Sequence, residues 1–537
     1  MGACSLNRRE LLLMPGMLAG CEVKPGELQG GWVGAHADRG HRLRGALPPA
    51  DGSPVRRTNV LIVGGGVSGL ACARALAQAG VDDVALLELE DEAGGNARGH
   101  QMAAGSQTIA CPLGAHYLPL PGPDAPEVYQ LLEELGLVRQ QLGRPVYDER
   151  QLCHAPQERL FFEGRWQDGL LPPARSAATR DQYLRFAAAV SAAQNNLGFA
   201  MPSVRAPWTA GHATLDAQTF GAWLAAQGLN DPQLLWYLDY CCRDDYGATA
   251  AEVSAWAGIH YFASRHGFHP PGDESREREA VLTWPEGNAW LTRRMAAGLG
   301  ERIHKGRTVL AVSLAKHQIE VLAWNEAEQA PERWVAQQIV LATPVFIAAR
   351  LLAAPPEALR QATRQLQYAP WLVANLQLRG PLLDRLGAPP AWDNVAYRSA
   401  SLGYVDATHQ SLKPSHGASV LTAYWALPRA QRPALLQAPW QDWARRVLAD
   451  LQQVHPDLPQ QLQRADLMRW GHAMSIPLPG IRGLAALAAL REAQAGQRVY
   501  FAHGDLAGYS VFEEAYTQGV RVAQAMLVRR RAARPVA

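Results

Sequence analysis

The chain has 537 residues, of which 48% are hydrophobic and 19% charged, so there is ample apolar material for a core. Lys+Arg 51 against Asp+Glu 49 leaves a net charge of +2, which excludes a globally basic nucleic-acid binder and an acidic tail protein. Seven cysteines at this length exclude a disulfide scaffold.

The N-terminus reads as an address. Arg8-Arg9 precedes a short, weakly apolar run from Leu11 to Gly20, the pattern of a twin-arginine export signal. The run closes in Leu18-Ala19-Gly20-Cys21, which is similar to a bacterial lipoprotein box. These features predict export to the periplasm or the outer face of the inner membrane, with contact to the membrane surface through a lipidated Cys21. No run of about 18 uninterrupted apolar residues predicts a spanning helix. Residues 22–54 are rich in Gly and Pro without a hydrophobic period, and they read as a flexible tether.

Asn59 to Val63 is an apolar run of strand length. Gly64-Gly65-Gly66-Val67-Ser68-Gly69 follows, then a helix-forming stretch from Leu70 to Ala79. Val84 to Leu87 is a second strand and ends in Glu88. This order is that of a dinucleotide fold. Gly64 allows the tight turn, Gly66 admits the pyrophosphate, Gly69 lets helix and strand pack, and Glu88 accepts from ribose hydroxyls. The helix N-terminus at Ser68 faces the phosphates.

A second glycine pair, Gly94-Gly95, follows the acid in Glu92 to Arg98. With it the chain resembles the superfamily of FAD-containing amine oxidases, carotenoid desaturases and protoporphyrinogen oxidases. Four later segments match in order. They are Cys111 to Leu118 (with Gly114, Ala115 and His116), Thr283 to Leu291, a three-strand meander (Arg307 to Val312, Ile319 to Trp324, Val335 to Thr343), and Val499 to Asp505 followed by a helix from Phe512 to Leu527. The resemblance implies FAD as cofactor, with Val309 by the adenosine and Asp505, after Gly504, on the ribityl chain. The backbone at Phe512 and Glu513 would face the isoalloxazine. Asn96 stands where the family has a pyrophosphate-binding arginine, and Arg98 is expected to take over that contact. Residues 499–527 contain no cysteine, so the FAD is expected to be noncovalent.

Many amine oxidases carry a lysine on the strand after the meander, bonding a water at flavin N5. The four lysines here are Lys24, Lys305, Lys316 and Lys413, and the matching stretch, Tyr368 to Leu378, has none. By register Val373 or Asn375 takes the position, and Asn375 is the candidate to hold a water. Trp470 is the candidate for one aromatic wall at the flavin, with Tyr509 or Phe512 for the other, and His116 for a proton-handling role. His260, His266 and His269 lack metal-ligand spacing, so no metal is expected. Adjacent Cys241 and Cys242 read as two buried thiols.

The expected fold class is α/β. A Rossmann-like FAD domain of the p-hydroxybenzoate-hydroxylase type (58–120, 280–345, 480–530) is interleaved with a mixed substrate domain. That domain comprises a helical block at 121–279, with helices expected from Arg180 to Asn195, Leu215 to Gln227 and Pro232 to Tyr240, and a mixed block at 346–479. The signal (1–20), the tether (21–57) and a basic tail (531–537) flank them. The expected function is an exported FAD-dependent oxidoreductase moving a hydride from a small-molecule substrate, an amine by resemblance, to flavin N5, with reoxidation by oxygen or a quinone. The alternatives are a desaturase or isomerase of an apolar polyene or lipid, a mutase (Gly94 to Ala97, Gly114 to His116 and Gly504 to Ala507 also resemble UDP-galactopyranose mutase), and a noncatalytic FAD-binding assembly protein.

Overall fold

The computed structural model describes residues 28–105, 107–265, 267–270, 280–410, 417–492 and 497–532. Among them, seven strands form one sheet and eight form another. The first is built on Val55–Val63, whose last four residues are buried. It pairs in parallel with Val84–Leu87 on one side and with Ala330–Leu341 on the other. Ala330–Leu341 does double duty. Its start closes the antiparallel meander with Ile319–Asn325 and Arg307–Leu314, and its end takes Val499–Phe501 in parallel. Three separated stretches of the chain therefore build the same sheet.

Two helices cover one face of this sheet. The fingerprint helix, Val67–Gln78, packs on the last helix, Phe512–Ala532. The approach is close: a Cβ on Gly519 would lie 2.2 Å from the Ser68 carbonyl oxygen. The Ser68 hydroxyl donates to the Ala515 carbonyl at 2.6 Å and ties the two helices together.

The second sheet is centred on Tyr368–Leu378, buried at every position, with Leu462–Ser475 and Ser419–Ala426 antiparallel on either side. Leu372, Ala374 and Leu376 face a core shared with the helix Trp440–Leu451. Trp371 and Val373 point the other way, toward helices Ala177–Leu197, Pro232–Tyr246 and Ala255–Ala263. Both faces are covered, which explains why the strand reads as a largely apolar run interrupted only by Asn375 and Gln377.

Three expectations are corrected. The block 121–279 is not wholly helical: Glu158–Phe162 and Arg165–Asp168 extend the eight-stranded sheet, and Val138–Gln141 pairs with Arg144–Tyr147 as a hairpin. The single helix expected from Leu215 to Gln227 is two, Ala210–Asp216 and Phe220–Ala226. The Thr219 side chain accepts from Ala222 N–H and starts the second. The tether is docked from its first described residues. Gly30–Trp32 pairs with Ala465–Leu467, Arg39 bonds Asp91 and the Leu89 carbonyl, Arg42 bonds Glu326, and Arg350 donates to the Leu43 carbonyl. Its Gly and Pro content hid a strap held by charge pairs rather than by an apolar period. The export motif and Cys21 lie outside the described residues.

Candidate active site

A cavity of about 470 Å³ is lined from both sheets. One part of its wall comes from the dinucleotide elements: Gly64, Gly66, Ser68, Glu88, Gly94, Gly95, Asn96, Val309, Gly504, Asp505, Phe512 and Glu513. Gly64 has φ +104°, and a Cβ there would lie 2.5 Å from the Ala342 oxygen. Gly69 is off the wall but indispensable to it, because a Cβ would sit 1.9 Å from the Gly64 oxygen. The fingerprint helix opens at Gly66 with no side-chain cap, leaving its first N–H groups for an anion. Glu88 is buried and accepts from Gly65 N–H at 2.6 Å and Glu90 N–H at 2.9 Å. Burial raises its pKa despite those bonds. Leu43 and Gly40 of the strap reach the same cavity.

Asp505 tests whether these residues fit a flavin dinucleotide. It is fully buried. Oδ2 accepts from the Tyr368 hydroxyl at 2.6 Å and from Val345 N–H at 2.9 Å, while Oδ1 receives no hydrogen bond. Burial acts most strongly and pushes its pKa up, yet nearby His503 (Nδ1 at 3.2 Å from Oδ1), Tyr368 and Val345 together hold it below the usual value. An ionised acceptor with a free oxygen beside the cavity suits a polyol hydroxyl. The glycine cradle, the uncapped helix and this oxygen together fit FAD.

The rest of the wall is aromatic and acidic. Trp470 donates from Nε1 to the Leu113 carbonyl at 2.7 Å, and the Tyr424 hydroxyl donates to the Gly114 carbonyl at 3.1 Å. One short loop thus fixes two rings carried by the two strands that flank Tyr368–Leu378. Trp371 lies opposite Trp470 and Val373 opposite Tyr424 in register, and all four line the cavity. His116 stacks on Tyr424 with ring centroids 4.4 Å apart. Burial lowers its pKa to about 4, so the ring is neutral near pH 7. Asp244 and Asp245, from the last turn of Pro232–Tyr246, complete this part with Arg265. Arg265 pairs with Asp245 at 3.1 Å. Burial and Asp245 raise the Asp244 carboxyl to about 7, against the pull of Arg265, Arg243 and Tyr117. Burial likewise raises Glu513 to about 7.

Most of the sequence candidates meet in this cavity: the glycine cradle, Asn96, Gly114, Ala115, His116, Val309, Trp470, Asp505, Phe512 and Glu513. Three do not. Asn375 faces the same side as Val373, but the end of the strand Gln107–Pro112 lies over it. Its amide donates to the Pro112 carbonyl at 3.0 Å and accepts from Thr422 at 2.7 Å, so Val373 alone of the two reaches the wall. Tyr509 is fully buried, bonded to Glu514 at 2.7 Å and His260 at 2.8 Å, and it braces the approach to the last helix. Arg98 is turned from the cavity. It donates to the Gly34 carbonyl at 2.9 Å and lies 3.5 Å from Glu90, so it braces the strap instead of meeting a phosphate. Sequence reasoning missed Tyr424, Trp371, Asp244, Asp245 and Arg265. The acidic pair closing the helix Pro232–Tyr246 was the available signal, obscured because that helix was expected to stop at Tyr240. Cys241 and Cys242 are free and buried.

A family profile for flavin-containing amine oxidoreductases matches residues 67–527. Among solved structures, putrescine oxidase with bound putrescine aligns over 89% of this chain and 100% of its own, at 19% identity and a TM-score of 0.63. Cyclohexylamine oxidase from Brevibacterium oxydans aligns over 88% and 99%, at 18% identity and 0.61. A fatty acid isomerase from P. acnes aligns over 87% and 98%, at 14% identity and 0.60. These likenesses establish the shared fold. No curated protein matches the sequence significantly. The profile spans most of the chain and the cavity carries a cradle that fits FAD, so this chain belongs to the flavin-containing amine oxidoreductases and is an FAD-dependent oxidoreductase.

Proposed function

We propose that the protein oxidises an amine at a carbon bearing nitrogen. The observation that carries this reading is the excess of carboxyl groups at the aromatic part of the cavity: Asp244, Asp245 and Glu513 share one guanidinium, Arg265. A cationic substrate gains there. A carboxylate head, as a lipid acid would carry, meets like charge, and the guanidinium is already engaged.

Bound FAD supplies the two-electron acceptor. The chain supplies position and environment. Trp470 and Tyr424, held by the Leu113 and Gly114 carbonyls, restrict the substrate to a slot and exclude water. His116 stays neutral and adds no repelling charge. Asp244 and Glu513, both held near 7, lie in the range where a carboxyl exchanges protons at neutral pH. Val373 offers no hydrogen bond where the family often has lysine, so water is not anchored from that position. The electron acceptor in this reading is oxygen or a membrane quinone. The export reading is part of the same proposal. It is supported by Arg8-Arg9 and Leu18 to Cys21 and is tested by fractionation and by loss of membrane association in Cys21→Ser.

The test of function is to titrate the anaerobic holoenzyme with a panel of mono-, di- and polyamines. Bleaching of the flavin by an amine supports the reading, and return of colour in air or with a quinone names the acceptor. If dithionite bleaches the flavin and no amine does, the amine reading fails, and polyenes and unsaturated fatty acids are tested next.

A further inference from the structure

We propose that residues 379–390 form a membrane-contact loop, with Leu383 and Leu386 entering the surface of an anionic lipid bilayer. The choice of a lipid surface rests on the reading of Cys21 as a lipid-bearing residue.

The loop follows the central strand Tyr368–Leu378, and its side chains are turned inside out. Leu382 packs on the core shared with Trp440–Leu451, but Leu383 and Leu386 are 72% and 82% exposed. The cation between them turns the other way. Arg385 donates to the Gln453 and Val454 carbonyls, both at 3.2 Å, and its guanidinium lies 4.8 Å from the centre of the Phe161 ring. A loop built only for water would send the arginine out and the leucines in.

The backbone holds this arrangement. Leu383 N–H donates to Asp457 Oδ2 at 2.8 Å. The Leu386 carbonyl accepts from Trp166 N–H at 2.9 Å, and Ala388 N–H donates to the Trp166 carbonyl at 2.9 Å. Gly387 lies between these two bonds with φ +115°, and a Cβ there would sit 1.8 Å from the Trp166 oxygen. The two leucines are thus presented on a braced edge. Large apolar side chains held out in this way mark a surface that something covers.

The path of the chain points to the cover. Gly30 lies opposite Ala465, and Ala465 opposite Leu376. Gly30–Trp32 runs parallel to Leu462–Ser475, which runs antiparallel to Tyr368–Leu378. The start of the first strand and the end of Tyr368–Leu378 therefore share one end of the sheet, two strand spacings or about 10 Å apart. Leu28 and Leu382 pack on the same core there. Cys21 precedes Leu28 by seven residues, which span at most about 25 Å. A lipid on Cys21 would hold a bilayer within reach of the same end of the sheet that carries Leu383 and Leu386. Residues 379–390 carry Arg379 and Arg385 against Asp384, a balance that suits an anionic leaflet.

The experiment uses the full-length holoenzyme with Cys21→Ser, which carries no lipid there. It is floated through a density gradient with vesicles of phosphatidylethanolamine and phosphatidylglycerol. Against this parent, Leu383→Asp combined with Leu386→Asp should lower the ratio of vesicle-bound to free protein roughly 10-fold or more. Leu383→Trp combined with Leu386→Trp should raise it. Leu142, 98% exposed in the turn between Val138–Gln141 and Arg144–Tyr147, is the control, and Leu142→Asp should float as the parent does. Flavin content and thermal midpoint check the fold of each variant. The proposal is overturned if the aspartate pair floats like the parent, or if Leu142→Asp loses as much. It is also overturned if the leucines cover a second copy of the chain, seen as a dimer in sedimentation that the aspartate pair splits. Cell fractionation of wild type and Cys21→Ser tests the anchor separately. Equal membrane fractions there would sink the Cys21 reading, while loss of vesicle binding in the aspartate pair would still carry the loop, so the two failures are distinguishable.

Discussion

Replacing Asp244 by asparagine should stabilise the protein, and the stability effect should depend on pH. The folded chain holds this carboxyl at about 7, against a reference value of 3.8. Its folded pKa lies above the unfolded value, so the native state binds the extra proton between about pH 4 and 7. Its contribution to stability is complete below about pH 4 and is lost as the pH rises through 7. The difference between 7 and 3.8, at about 1.4 kcal/mol per pH unit, sets a ceiling of about 4 kcal/mol. Asp244 keeps some surface toward the cavity, and water there lowers the real figure. Asparagine has no proton to lose and keeps an oxygen for the Tyr117 hydroxyl. The thermal midpoint of Asp244→Asn should therefore pull ahead of wild type by several degrees between pH 5 and pH 8. Asp245, Arg243, Arg265, Asp393, Glu158 and Tyr117 are present in both proteins, so the difference isolates Asp244 and its coupling to them. A gap that stays constant from pH 5 to 8, followed by differential scanning fluorimetry on holoenzyme, would show that the carboxyl is not held protonated by its surroundings and would refute the reasoning.

Three further outcomes are expected. Gly69→Ala should abolish flavin loading, because its Cβ would sit 1.9 Å from the Gly64 oxygen; a normal ratio of flavin to protein absorbance in the purified variant would contradict the packing argument. Asp505→Ala strands the buried donors of Tyr368 and Val345 and removes the free acceptor, at about 1–3 kcal/mol for each donor left unmet, so both the thermal midpoint and the affinity for FAD should fall. Leu43→Asp puts a charge against the apolar cluster of Leu87, Val309 and Leu351. It should speed release of flavin, followed by fluorescence on dilution, with little change in kcat at saturating cofactor.

The dinucleotide half of the fold was legible because local signals carry it. Glycines mark turns, apolar runs of strand length mark the sheet, and Glu88 and Asp505 close strands at the cavity. Those patterns are dictated by backbone geometry within a few residues. The substrate half was less legible because its site is assembled by register across strands and by the end of a distant helix. That Trp371 faces Trp470, and Val373 faces Tyr424, depends on pairings between segments far apart in sequence, and Asn375 was hidden by the end of the strand Gln107–Pro112, whose path no local pattern predicts. Tyr509 illustrates the opposite error: an aromatic near a cofactor segment turned inward to bond Glu514 and His260. The strap escaped notice because arginines and acids, not apolar spacing, hold it.

The strap also sets an order of events. Its strand residues, Gly30–Trp32, find their partners only in Ala465–Leu467, so the earliest described segment to be synthesised is among the last able to dock. Until most of the chain has emerged, this segment has no strand to join. The residues around Gly40 and Leu43 bond Asp91, Glu326 and Arg350, all made before that strand, so the strap seats from its cavity end first and Gly30–Trp32 is the part left to close last.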